Sequence, residues 1–260
     1  MFEDVDPYLV LLVFVAAILL VSLAGMFVPR IMKLDMRGAH LLVALSAGII
    51  LGILFFVLIP ETFHGILEAD AEYMDAVMLM AAGFLAIVLI DVIMKRRYSC
   101  SCTDCSDSDH IHEATSFTAF AGLAMHAAVD GILLSIALIA GGEIAIAMLI
   151  AIALHKFADV FALSSIFTLT KIAKRRTLIY MIVFIMITPI AAILSMPIVD
   201  AVGELNEFIP LAVATGILMY VGIYTLLPEA FHERRDSVLS FVLVVIGIIA
   251  IAAIALTLGH

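Results

Sequence analysis

Apolar stretches of roughly 20 residues, the length that crosses a bilayer as a helix, alternate with short polar segments along the whole chain. They fall near 8–28, 41–60, 75–94, 116–139, 144–169, 178–199, 209–228 and 238–258. The pattern predicts an all-α polytopic membrane protein, with eight transmembrane helices in a single domain over 1–260. The polar segments alternate in charge. Those after stretches one, three, five and seven carry Arg30, Lys33 and Arg37, then Lys95, Arg96 and Arg97, then Lys171, Lys174, Arg175 and Arg176, then Arg234 and Arg235. That is twelve of the 13 Lys and Arg. The positive-inside rule makes this side cytoplasmic and places both termini outside, extracellular. The opposite segments carry Glu61, Glu68, Asp70, Glu72, Asp75, Glu143, Asp200, Glu204 and Glu207 with no Lys or Arg. Glu3, Asp4 and Asp6 make the start of the chain acidic where a cleavable signal peptide would be basic, so none is expected.

Two repeats run through the pattern. Gly48-Ile49, then Leu58-Ile59-Pro60-Glu61-Thr62-Phe63-His64, returns as Gly216-Ile217, then Leu226-Leu227-Pro228-Glu229-Ala230-Phe231-His232, always 168 positions later. Span two runs outward and span seven inward, so the same motif ends at opposite faces. Such internal symmetry marks an inverted repeat. In a 3+2+3 arrangement, spans one to three map onto six to eight, and spans four and five onto each other. The second repeat agrees: His126 and Asp130 in span four return as His155 and Asp159 in span five, both 29 positions on.

That second repeat carries the candidate chemistry. An imidazole and a carboxylate at i and i+4 share one face of a helix, one turn apart. Ionisable groups at bilayer depth are costly and mark ion or substrate paths. His126, Asp130, His155 and Asp159 on neighbouring helices offer four N and O ligands for a divalent transition metal. Lys156, the thirteenth basic residue, lies beside His155 and needs a buried partner. Asp159 and Asp130 are the available ones. Glu61 with His64 at the outer end, and Glu229 with His232 at the inner end, are candidate entrance and exit ligands. Interfacial polar caps are the plainer reading of both pairs. His40 reads as an interfacial residue, and Asp91 as the partner of Lys95 one turn on.

Composition sharpens the class. A chain that is 65% hydrophobic and only 14% charged excludes a soluble domain of this size. There is no Trp, so the interfacial belt falls to Tyr8, Tyr73, Tyr98 and Tyr180 at predicted helix ends. The three cysteines, Cys100, Cys102 and Cys105, crowd into the polar segment 95–115 with His110 and His112. An odd, tight cluster is no disulfide framework. It predicts a cytoplasmic loop whose reduced thiols and imidazoles suit Zn or Cu(I).

These residues together resemble the ZIP (Zrt/Irt-like) family of divalent metal transporters, of the prokaryotic type. The resemblance covers nearly the whole chain and is most specific over His126 to Gly131 and His155 to Asp159. It implies a mononuclear or binuclear site between spans four and five, and uptake of zinc, iron, manganese or cadmium toward the cytosol. Some positions depart from the family pattern. Ala127 stands where Asn is frequent, and Val129 and Ala158 stand where Pro precedes the acid. Lys156 stands where a further ligand is usual, and Thr188-Pro189 where an acid precedes Pro. Lys156 and Thr188 both remove ligands from a second metal position. The expectation is one ion per monomer, with Lys156 supplying the charge of the second.

The function read from these features is transport of a divalent transition metal, zinc foremost, into the cytoplasm across the plasma membrane. Imidazole protonation near neutral pH would release metal or couple to protons. A non-transporting metal sensor with Lys156 as an internal plug is the alternative. An intramembrane zinc hydrolase lacks its general base here, so no enzyme is expected. No resident cofactor is required beyond the transported or bound metal ion, such as Zn2+. The expected partners are that ion and the lipid bilayer, with no nucleic acid and with a homodimer left open.

Overall fold

A computed structural model describes residues 6–31, 36–99, 107–140, 142–169, 172–202, 208–232 and 236–258. Among them the long elements are all helical. Span one is α1 (Pro7–Ile31). Span two is α2 (Met36–Ile53), a π-helical turn (Leu54–Leu58) and α3 (Ile59–Glu68). Spans three to six are α4 (Tyr73–Ser99), α5 (Asp107–Ala140), α6 (Gly142–Thr168) and α7 (Lys174–Val202). Span seven is α8 (Phe208–Tyr220), a second π-helical turn (Val221–Leu226) and α9 (Leu227–Ala230), and span eight is α10 (Ser237–Leu258). Eight of these segments are long and apolar enough to cross a membrane.

The helices obey the predicted repeat. Span two packs along span eight, and span seven along span three. Span one packs along span five, and span six along span four. Span two touches span five, and span seven touches span four. Each of these pairings turns into its partner when spans one to three are exchanged with six to eight and four with five. The close approaches repeat as well. A methyl on Gly48 would run into the Val244 carbonyl of span eight, and one on Gly216 into the Met80 carbonyl of span three. Only a residue without Cβ lets these backbones meet, the small-residue packing expected at membrane helix interfaces.

Both π-helical turns end just before the repeated prolines. Pro60 and Pro228 thereby fall in the first turn of α3 and α9, where a missing N–H leaves no bond unmade. This is why span two continues to Glu68 instead of ending at Pro60 as its sequence predicts. The segment 95–115 also differs from expectation. Helix covers 95–99 and 107–115, leaving a shorter connection. No Gly or Pro interrupts either stretch. Cys100, Cys102 and Cys105 lie outside the described residues.

A cross-helix ion pair ties the starts of spans two and eight, at the end of the bundle that carries Arg37 and Lys95. Arg37 at the start of span two grips Asp236 at the start of span eight through two short bonds, 2.7 and 2.6 Å. At the same end, Tyr180 of span six is half-buried against the rings of Phe117, Phe120 and Phe167. Its aromatic packing takes it out of the exposed belt in which its sequence position placed it. Tyr8 and Tyr73 are exposed, as a belt requires.

Candidate metal centre

Spans four and five cross at the middle of the bundle and bring the two His/Asp pairs face to face. His126, Asp130, His155 and Asp159 are all buried, and one ligand atom from each lies within 4.8 Å of the others. His126 Nε2 is 3.5 Å from Asp130 Oδ1 and 4.0 Å from Asp159 Oδ2, and His155 Nε2 is 3.3 Å from Asp130 Oδ1. Donors bound tetrahedrally at about 2.0–2.1 Å from zinc stand about 3.3 Å apart. The shorter edges already have about that length.

The site is distinguished by what its atoms do not bond. His126 Nδ1 and Nε2, His155 Nε2 and both carboxylate oxygens of Asp159 are buried without a hydrogen-bond partner in the protein. A buried polar group without a partner costs about 1–3 kcal/mol, and a charged one more. Such a concentration of unsatisfied N and O atoms in one place fits a cation whose ligands they are. Asp130 is the exception, because its two oxygens divide the work. Oδ1 faces both imidazoles, while Oδ2 accepts a hydrogen bond from Lys156 Nζ at 3.4 Å. Lys156 is fully buried, with its ammonium 5.1 Å from the centre of the Phe184 ring.

Span six closes the site from the side. The Thr188 hydroxyl donates to the Ala127 carbonyl of span four at 2.8 Å. Gly131 lies where a methyl would meet the Thr188 carbonyl. Thr188 thus sits against the turn between His126 and Asp130, at the place where the family resemblance set the lost acid.

Other candidates fall elsewhere. Glu61 is half-buried and His64 exposed on α3, outside the four-ligand group. Glu229 is buried at the basic end with exposed His232 nearby. His40 joins them, which its sequence did not signal. Its Nδ1 is 3.4 Å from the Glu229 carbonyl and 3.9 Å from Glu229 Oε1, and its ring stacks on His232 at 5.8 Å. A cavity of about 290 Å3 opens beside this group, lined by Asp91, Lys95, Tyr220, Glu229 and His232. Asp91 pairs with Lys95 at 2.7 Å and accepts a bond from Thr118 at 2.8 Å. Thr118 is eight residues before His126 on one helix, about 12 Å along its axis. His110 and His112 lie within α5, below the buried pair.

An eight-span bundle enclosing an N2O2 donor set that could hold a metal ion defines an integral membrane protein. Residues 99–255, more than half of the chain and all of the candidate site, match the family model of the ZIP zinc transporter. The chain belongs to that family, whose members carry divalent metal ions across membranes. No individual curated protein matches it.

Proposed function

We propose that the protein carries one divalent transition-metal ion at a time, zinc foremost, into the cytoplasm through His126, Asp130, His155 and Asp159. The observation that supports this most is the group of five buried, unbonded N and O atoms on three of these residues. Direction follows from the basic end, which the positive-inside rule makes cytoplasmic, with both termini outside in the plasma membrane. An interior-negative potential then draws the ion inward by about 2.3 kcal/mol per charge per 100 mV. The cavity lined by Asp91, Glu229 and His232 opens at that same end and serves as the exit. Glu229 and His232, with His40, are its ligands, and Glu61 and His64 receive ions at the other end. The cysteine segment, Cys100, Cys102 and Cys105 with His110 and His112, captures released metal on the cytoplasmic side. A homodimer adds no ligand to this site, and the mass of the solubilised protein tests it.

The second reading, a metal sensor plugged by Lys156, rests on the contact of its ammonium with Asp130. Lys156 holds Oδ2 and leaves Oδ1 to the ion, so the contact by itself does not fill the metal position. Uptake of zinc, iron(II), manganese and cadmium into proteoliposomes loaded with a fluorescent chelator decides between them. Zinc flux that vanishes in His126→Ala and Asp159→Ala supports the carrier. Metal bound without flux supports the sensor, and flux indifferent to both substitutions places the path elsewhere. Elemental analysis giving two ions at these helices would overturn the single-ion site.

A further inference from the structure

Lys156 carries a consequence for the transport cycle that goes beyond replacing a second ion. A carrier must reorient twice per turn, once with cargo and once without. With ionised carboxylates and neutral imidazoles, Asp130, Asp159 and Lys156 sum to a charge of −1 without cargo. A divalent ion changes this to +1. Without the lysine the two values would be −2 and 0. The cost of holding net charge in a low-dielectric interior grows with its square. The lysine therefore makes the two crossings equal in charge cost. Its absence would make the loaded crossing easy and the unloaded one about four times as costly in this term. The titratable groups facing Asp159 are His126, His155, Lys156 and Asp130, so with neutral imidazoles the lysine is the cation in this group that offsets the carboxylates.

The geometry allows this role throughout the cycle. Lys156 Nζ bonds Asp130 Oδ2, and the two imidazole nitrogens face Oδ1. One carboxylate can hold the lysine on one oxygen and the cargo ion on the other. The ammonium also faces the Phe184 ring, a second favourable surface for a buried cation. We infer that Lys156 is the built-in counter-ion of the unloaded site, the residue that permits the carrier to return without a co-transported ion. This rests on the proposed path through the His126/Asp130/His155/Asp159 site.

The test compares two zinc fluxes on the same proteoliposomes: net uptake into zinc-free vesicles, which needs the unloaded return, and isotope exchange with zinc on both sides, which does not. Their ratio is independent of how much protein is folded. In Lys156→Met and Lys156→Gln, exchange persists while the ratio of net uptake to exchange falls about tenfold or more, the direction set by the uncompensated carboxylates. Equal loss of both fluxes, including loss of both to background, overturns the counter-ion role. So does an unchanged ratio, or a ratio that falls in only one of these two neutral variants, since packing and not charge would then be responsible. Absence of zinc exchange in the unsubstituted protein overturns the carrier reading itself, a separate result.

Discussion

Two buried aspartates, Asp91 and Asp159, sit in apolar transmembrane helices of the same bundle and have opposite surroundings. Asp91 receives Lys95 from its own helix and Thr118 from span four. Asp159 has both oxygens buried with no hydrogen-bond partner, among His126, His155, Lys156 and Asp130. The first carboxylate ties two helices together. The second keeps its ligand capacity unspent, as the proposed ion site requires. A buried acid in a membrane helix therefore marks a site only when its ligand capacity is left over.

The largest effect separating the two clusters is on flux. His126→Ala lowers zinc uptake by at least about 100-fold, since loss of even an outer-shell partner costs about 10- to 100-fold. Asp91→Asn, at the wall of the exit cavity, lowers uptake far less and leaves the Kd for zinc at the four-ligand group unchanged. If both variants lose uptake alike, the distinction between a tie and a site collapses.

Stability should move in the opposite sense. Asp159→Leu removes an unsatisfied buried acid and leaves Asp130 paired with Lys156. Thermal unfolding in detergent without metal should show a gain of about 1–3 kcal/mol, with uptake abolished. Asp91→Asn should lose about 1–2 kcal/mol by the same measurement, because the Lys95 end of its pair is half exposed to solvent. A destabilised Asp159→Leu would mean that this carboxylate is structural after all.

Smaller effects sharpen the frame around the site. Gly216→Ala drives a methyl toward the Met80 carbonyl and should cost about 1–3 kcal/mol, with the same loss expected of Gly48→Ala because the repeat makes them equivalent. Unequal losses would show that the two halves pack differently. Thr188→Val removes the bond to the Ala127 carbonyl and should cost about 1 kcal/mol. Zinc KM read alongside shows whether that bond also positions the turn between His126 and Asp130.

Much of this protein is determined by its sequence alone. Eight apolar stretches require eight helices, because a backbone in lipid must satisfy its own hydrogen bonds. The shared spacing of Pro60-Glu61 and Pro228-Glu229 carries the inverted repeat, and the echo of His126/Asp130 in His155/Asp159 carries the four candidate ligands. Periodicity within a helix places i and i+4 on one face whatever surrounds them.

Which side chains meet across helices was left to the tertiary structure. Local spacing allowed Lys156 either Asp159 or Asp130, and only the crossing of spans four and five assigns it to Oδ2 of Asp130. His40 looks interfacial until span two lies against span seven and stacks it on His232. Thr188 and Tyr180 found partners on other helices in the same way. Prolines 60 and 228 looked like helix ends, yet π-helical turns carry both spans through them. Apolar pattern and local spacing specify each helix, but a contact between residues distant in sequence exists only once the packed backbones decide it.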